Sequence, residues 1–127
     1  MQDRCTFEYA IIRIVPKVER EEFFNVGVIL FSKRKKFLGM KYHIDSKKIA
    51  AFSTEIDQGT FEAYLQAWEH ICEGGPKGGF IGQFELADRF RWLVATRSTI
   101  IQSSKTHSGL CHDPEKALED IFKRYIL

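Results

Sequence analysis

The chain has 127 residues, 44% of them hydrophobic and 28% charged, and its 19 basic and 17 acidic side chains leave a formal charge of +2. This excludes a disordered composition, and the charge is too balanced to announce a nucleic-acid or membrane-surface partner without local clustering. A chain of this length buries roughly two-thirds of its unfolded surface, so one domain over 1–127 is expected, with no metal or disulfide needed for folding.

The segment FEYAIIRIV, residues 7–15, is rich in β-branched and aromatic residues and meets Pro16, whose missing N–H cannot serve a ladder; it predicts a first strand. After PKVEREE, the run FFNVGVILFS at 23–32 predicts a second strand, buried on both faces because neither parity is polar along its length. KRKK at 33–36 marks a turn, and KFLGMKYHI carries a third strand to Ile44. Two successive hairpins make a meander.

Beyond the meander, Asp45 or Ser46 caps a short helix through Ile49 and Phe52. Phe61, Tyr64, Leu65, Trp68, Ile71 and Cys72 recur at helical spacing, with Thr60 as the N-cap and Gly74 and Gly75 as the stop. GGPKGGFIG reads as a flexible connector: it lacks the spacing of a phosphate-binding loop and leaves the negative end of a helix. Leu86, Phe90, Leu93 and Val94 allow a helix over 84–94, although its last residues would suit a strand equally well, and TIIQS at 99–103 is a short strand. Asp113 and Pro114 open a closing helix striped by Leu118, Ile121, Phe122 and Tyr125. The predicted architecture is α+β, in the order β-β-β-α-α-(α)-β-α. Its antiparallel meander of three to four strands has the second strand central, covered by the 60–73 and 114–126 helices.

Asn25 and Gly27 interrupt the second strand, and regular alternation would place both on one face. A buried amide there must find partners or cost about 1–3 kcal/mol, while the glycine admits a neighbouring backbone, a ring or a ligand. If Val15 pairs with Phe23, Arg13 lies opposite Asn25; a slip of one residue would separate them. The spot reads either as a structural network that fixes the hairpin or as a binding site. Glu22 is the acidic neighbour best placed to pair with Arg13 or Arg97, whereas Glu19, Glu21 and Asp57 read as a solvated edge.

KRKK reads as a charged hairpin tip that discourages edge association, with a nucleic-acid rim as the alternative. Arg89, Arg91 and Arg97 around Trp92 form a second basic cluster, suited to a phosphate or an acidic surface. His43, His70, His107 and His112 lack metal-ligand spacing, Cys111 and His112 are adjacent in a loop, and no nucleophile elbow is present. No metal and no cofactor are expected. Cys5, Cys72 and Cys111 are odd in number and widely spaced, as reduced thiols would be, and no run approaches the ~18 apolar residues of a membrane span. A cytoplasmic protein without a membrane partner is the expectation.

The ordered set YAIIRIVP, EREEFFNVGVILF, RFRWLVATRSTIIQSS and SGLCHDPEKALEDIF resembles the bacterial family called domain of unknown function 3037. The most telling positions are Glu22, Asn25, Val26, Gly27 and Val28 in the strand and Arg97 and Ser98 before the late strand. The resemblance implies a small bacterial cytosolic protein without an assigned reaction, often encoded beside a HipA-like kinase, which suggests a partner. The leading expectation is a non-enzymatic interaction or regulatory module with Arg13, Glu22, Asn25, Arg97 and Ser98 as its contacts. Two alternatives stand beside it: a nucleic-acid-binding accessory protein, and an enzyme acting on a phosphorylated ligand at the polar spot. Homo-oligomerisation stays open.

Overall fold

The computed structural model describes residues 4–17, 22–52, 58–95 and 99–127, and of Pro16, Lys17, Glu22 and Phe52 the backbone alone. Among them, strands β1 (Cys5–Lys17), β2 (Glu22–Ser32), β3 (Phe37–Tyr42), β4 (Ile101–Ser103) and β5 (His107–Cys111) form one antiparallel sheet. The order is β3-β2-β1-β4, with β5 also paired to β1. Helices α1 (Ser46–Phe52), α2 (Gln58–Glu73), α3 (Leu86–Val94) and α4 (Pro114–Tyr125) complete the α+β fold. The expected elements are present and β5 is an addition, so Cys111 ends a strand and is not a loop residue. α2 begins at Gln58, which puts Thr60 inside its first turn and not at the N-cap.

The meander is interior at β2, as its two apolar parities require. Ile29 and Phe31 join Ile12 and Ile14 of β1 in a large core under α2 and α3, with Phe61, Leu65, Trp68, Phe90 and Leu93. Phe31 stacks on Phe90 with ring centroids 5.2 Å apart. Val28 and Leu30 point the other way, into a smaller core with Phe7 and Leu118 of α4. The two long amphipathic helices thus cover opposite faces. Each fully buried aliphatic or aromatic side chain contributes roughly 1.5–3 kcal/mol.

One irregularity resets the alternation of β2. Ile12 pairs with Gly27 but Arg13 pairs with Asn25, so Val26 has no partner on β1 and the strand bulges there. Val26, 1% exposed, therefore turns into the core shared with Ile29, and Phe24 packs against the same core. Asn25 is left on the opposite face, where it is exposed. The expected shared face for Asn25 and Gly27, and the expected buried amide, are both overturned by this single extra residue. The bulge spares the protein a buried amide by presenting it to solvent. Gly27 has a separate reason: a Cβ there would lie 2.5 Å from the Lys41 carbonyl oxygen and 2.9 Å from Tyr42 Cβ, so β3 packs too close for any other residue.

The edge of β1 is covered by two short strands with a three-residue break between them. β4 pairs at Ile12–Ile14 and β5 at Cys5–Tyr9. Where the ladder breaks, Ser104 replaces it: its N–H donates to the Ile11 carbonyl (2.8 Å) and its Oγ accepts from the Ile11 N–H (2.8 Å). Both backbone groups of Ile11 are satisfied without a continuous strand.

The GGPKGGFIG segment is more than a plain connector. It forms two short 3-10 turns, Pro76–Gly78 and Ile81–Gln83, tied by a Gly75 N–H to Gly82 carbonyl bond of 3.0 Å. Arg89 of α3 holds it from beneath. Its Nη1 donates to the carbonyls of Ile71 (2.9 Å) and Cys72 (2.8 Å), and its Nε donates to that of Phe84 (3.0 Å). A cation on the last carbonyls of α2 opposes the negative end of the helix dipole.

Candidate functional site

Arg13 lies on β1 between Asn25 of β2 and Gln102 of β4, which confirms the register that places the guanidinium strand-opposite the amide. Ile12 and Ile14 on either side of it enter the large core, so alternation turns Arg13 to the α4 side. Its guanidinium carbon sits 4.2 Å from the centre of the Phe23 ring, which is itself 45% exposed. This is a cation–π geometry. Arg13 Nε is buried and has no hydrogen-bond partner among the described residues.

A groove of about 590 Å³ runs past Arg13 and is lined also by Arg91, Ser103, Ser104, Lys105 and Thr106. Several of these groups are already committed. Arg91 makes a bidentate pair with Glu8 (Nη1 to Oε1 2.9 Å, Nη2 to Oε2 2.6 Å), and that hydrogen bond, above all, raises the guanidinium pKa. Ser103 Oγ donates to the Val94 carbonyl (3.1 Å), and Ser104 Oγ to that of Lys105 (2.9 Å). The hydroxyls therefore hold the loop between β4 and β5 in shape. Arg13 and Lys105 carry positive charge past a wall that structural bonds make rigid, an arrangement suited to holding an anionic group.

Asn25 faces elsewhere. It lines a separate groove of about 320 Å³ with His43, Asp45 and Lys48 and the C-terminal Ile126 and Leu127. Asp45 there is the N-cap of α1, accepting from the N–H groups of Lys47 (3.0 Å) and Lys48 (3.4 Å). The structure thus pairs Arg13 and Asn25 in register without gathering them in one pocket. Arg97 and Ser98 lie outside the described residues, as do Glu19, Glu21 and Asp57, and so does the side chain of Glu22.

Of the second basic cluster of the sequence, Arg97 lies outside the described residues, and Arg89 and Arg91 are each engaged elsewhere. Arg89 is 9% exposed and spends its donors on backbone carbonyls, while Arg91 is neutralised by Glu8. A signal for Arg89 was present: it falls on the same helical stripe as Leu86, Phe90 and Leu93, the buried side of α3. The turn residues Lys33–Lys36 are all exposed, as expected of a charged tip. Arg4, just before β1, joins Lys33 and Arg34 around a further groove of about 660 Å³ that also contacts Cys5 and Leu110. Sequence spacing gave no hint of that convergence. Among the described residues, no group of three or more His, Cys, Asp or Glu side chains is arranged to hold a metal ion. Nor is any helix among them long and apolar enough to cross a membrane.

These features define an α+β protein: a five-stranded antiparallel sheet between helical layers, with an arginine of β1 stacked on an exposed phenylalanine of β2. The chain belongs to the family described as "Protein of unknown function (DUF3037)", whose model matches residues 9–126. No curated protein and no solved structure matches it.

Proposed function

We propose that the protein is a non-enzymatic interaction module of the bacterial cytosol that docks an acidic group of a protein partner against Arg13. One observation carries this reading: the Arg13 guanidinium is braced on the exposed Phe23 ring while its Nε is left without a hydrogen-bond partner among the described residues. A planar cation held flat by an aromatic ring loses little freedom when it takes a carboxylate or phosphate, and arginine and aromatic residues dominate interface hot spots. Lys105 on the same groove supports the sign of the charge. The resemblance to proteins encoded beside HipA-like kinases makes such a kinase the partner to test first.

The experiment is co-purification of the full chain with the kinase encoded nearest to it, followed by titration of the pair. Losing a charge-assisted hydrogen bond of about 1.5–3 kcal/mol weakens binding on the order of tenfold to a hundredfold, and Arg13→Ala is expected to do so. Arg13→Lys keeps the charge but loses the planar stack, so it rescues only part of the affinity. Binding that is unchanged in Arg13→Ala and in Phe23→Ala would refute the proposal.

A further inference from the structure

Cys5 and Cys111 stand directly opposite each other on β1 and β5. Directly opposed residues of an antiparallel pair have Cα atoms about 4.5–5.5 Å apart, inside the roughly 4.4–6.8 Å window of a disulfide. Paired residues project to the same face of the sheet, so the two thiols face one another, close enough for Cys5 to bear on the ionisation of Cys111. Both cysteines are free. They differ in access: Cys5 is 4% exposed and backs onto Ser32 Oγ at 3.5 Å, whereas Cys111 is only partly buried. The same end of the sheet is basic: Arg4, Lys33 and Arg34 line a groove that reaches Cys5 and Leu110, the neighbour of Cys111 in the chain. Burial, with Cys5 and Asp113, holds the Cys111 thiol above its usual range, and Lys35 works against that rise.

We propose that Cys5 and Cys111 are a reversible dithiol–disulfide site whose oxidant is an anionic low-molecular-weight disulfide, drawn in by the cations of that groove. The exchange has two steps. The Cys111 thiolate, having released its proton to solvent, attacks one sulfur of the oxidant; a Cys111 mixed disulfide forms and one small thiolate leaves and takes up a proton. Cys5, losing its own proton, then attacks the Cys111 sulfur, the protein disulfide forms, and the second small thiol is released. Two protein thiols are oxidised and one small disulfide is reduced to two thiols. The bond closes a loop of roughly a hundred residues and ties the first strand to the entrance of α4, so it stabilises the fold by restricting the unfolded chain.

The test uses the reduced full chain with oxidised glutathione as the probe, followed by intact mass and peptide mapping under native conditions. The wild type is expected to lose the mass of two hydrogens, with Cys5 and Cys111 in one linked peptide pair, and to melt on the order of 10 °C higher. Cys5→Ser is expected to stop at a glutathionyl adduct on Cys111, and Cys111→Ser to stay unmodified at Cys5. The double variant Lys33→Ala/Arg34→Ala is expected to slow the reaction on the order of tenfold at low salt, while leaving the rate with neutral 2-hydroxyethyl disulfide unchanged. A wild-type chain that keeps both thiols, a bond to Cys72, or a lower melting temperature after oxidation overturns the site. Equal slowing with both oxidants overturns the role of the cations. Because linkage is mapped in the wild type, a variant that does not fold leaves the decision intact.

Discussion

Arg89 offers the sharpest test of how the fold is held. It is 9% exposed and donates three hydrogen bonds to carbonyls, two at the end of α2 and one at Phe84 before α3. Replacing it with Met preserves most of the stem volume and removes every donor. Hydrogen bonds from a charged group contribute about 1.5–3 kcal/mol each, but water entering past the exposed Gly75 recovers part of the loss and the guanidinium no longer has to be desolvated. The net destabilisation expected is about 3 kcal/mol, or a fall in Tm of roughly 10 °C for a chain of this length. Urea titration followed by far-UV circular dichroism measures it. A change within about 0.5 kcal/mol would refute the reasoning, because it would mean that water already serves those carbonyls. A second variant closes the loophole of general damage. Gly74 has φ +80° and a Cβ there would lie 2.7 Å from Arg89 Nη1, so Gly74→Ala combines backbone strain with a clash. In the Arg89→Met background the clash is gone and the strain remains, so the double variant is expected to cost less than the sum of the singles.

Gly27→Ala is expected to destabilise by about 2 kcal/mol or more, since its methyl would meet the Lys41 carbonyl oxygen at 2.5 Å and force β3 away from β2; chemical denaturation reads the loss. Asp113 caps α4 by accepting from the N–H groups of Glu115 (3.0 Å) and Lys116 (3.4 Å), so Asp113→Ala is expected to cost about 1 kcal/mol, measured in the same way. Burial pushes the Cys72 thiol up to about 12 from its usual 9.0. The unfolded thiol therefore ionises first: its contribution is intact below about pH 9 and is lost progressively as pH rises toward 12. Cys72→Ala is expected to flatten this alkaline fall in stability, and an unchanged slope in a stability–pH series would count against it.

Much of the architecture could be read from local pattern because local pattern is what the physics of these elements uses. The two apolar parities of residues 23–32 required an interior strand with cover on both faces, and α2 with α3 on one side and α4 on the other provide it. Asp113 followed by Pro114 marked the start of α4 correctly, since a cap acts within one turn. The Arg13–Asn25 register followed from counting back around the first hairpin. The candidate site was legible to that extent and no further. Its groove is walled by Ser103, Ser104 and Lys105, which lie some ninety positions from Arg13 along the chain and meet it through strand pairing alone.

Where tertiary structure decided, it did so by placing distant groups against a segment whose own pattern was mute or misleading. HSGLC has no apolar alternation, and it becomes β5 because β1 offers an unpaired edge for its N–H and C=O groups. Val26 and Asn25 exchange faces because a bulge is a property of two strands, set by how β1 and β3 fit around β2 and not by either residue's preference. Arg89 is buried only because α2 ends above it, with carbonyls that need donors. Cys5 and Cys111 become neighbours for the same reason as Arg4 and Lys33. Amino-acid order determines which side chains can enter a core; the paired backbone determines which of them touch, because hydrogen-bond register is fixed between strands and is invisible within one.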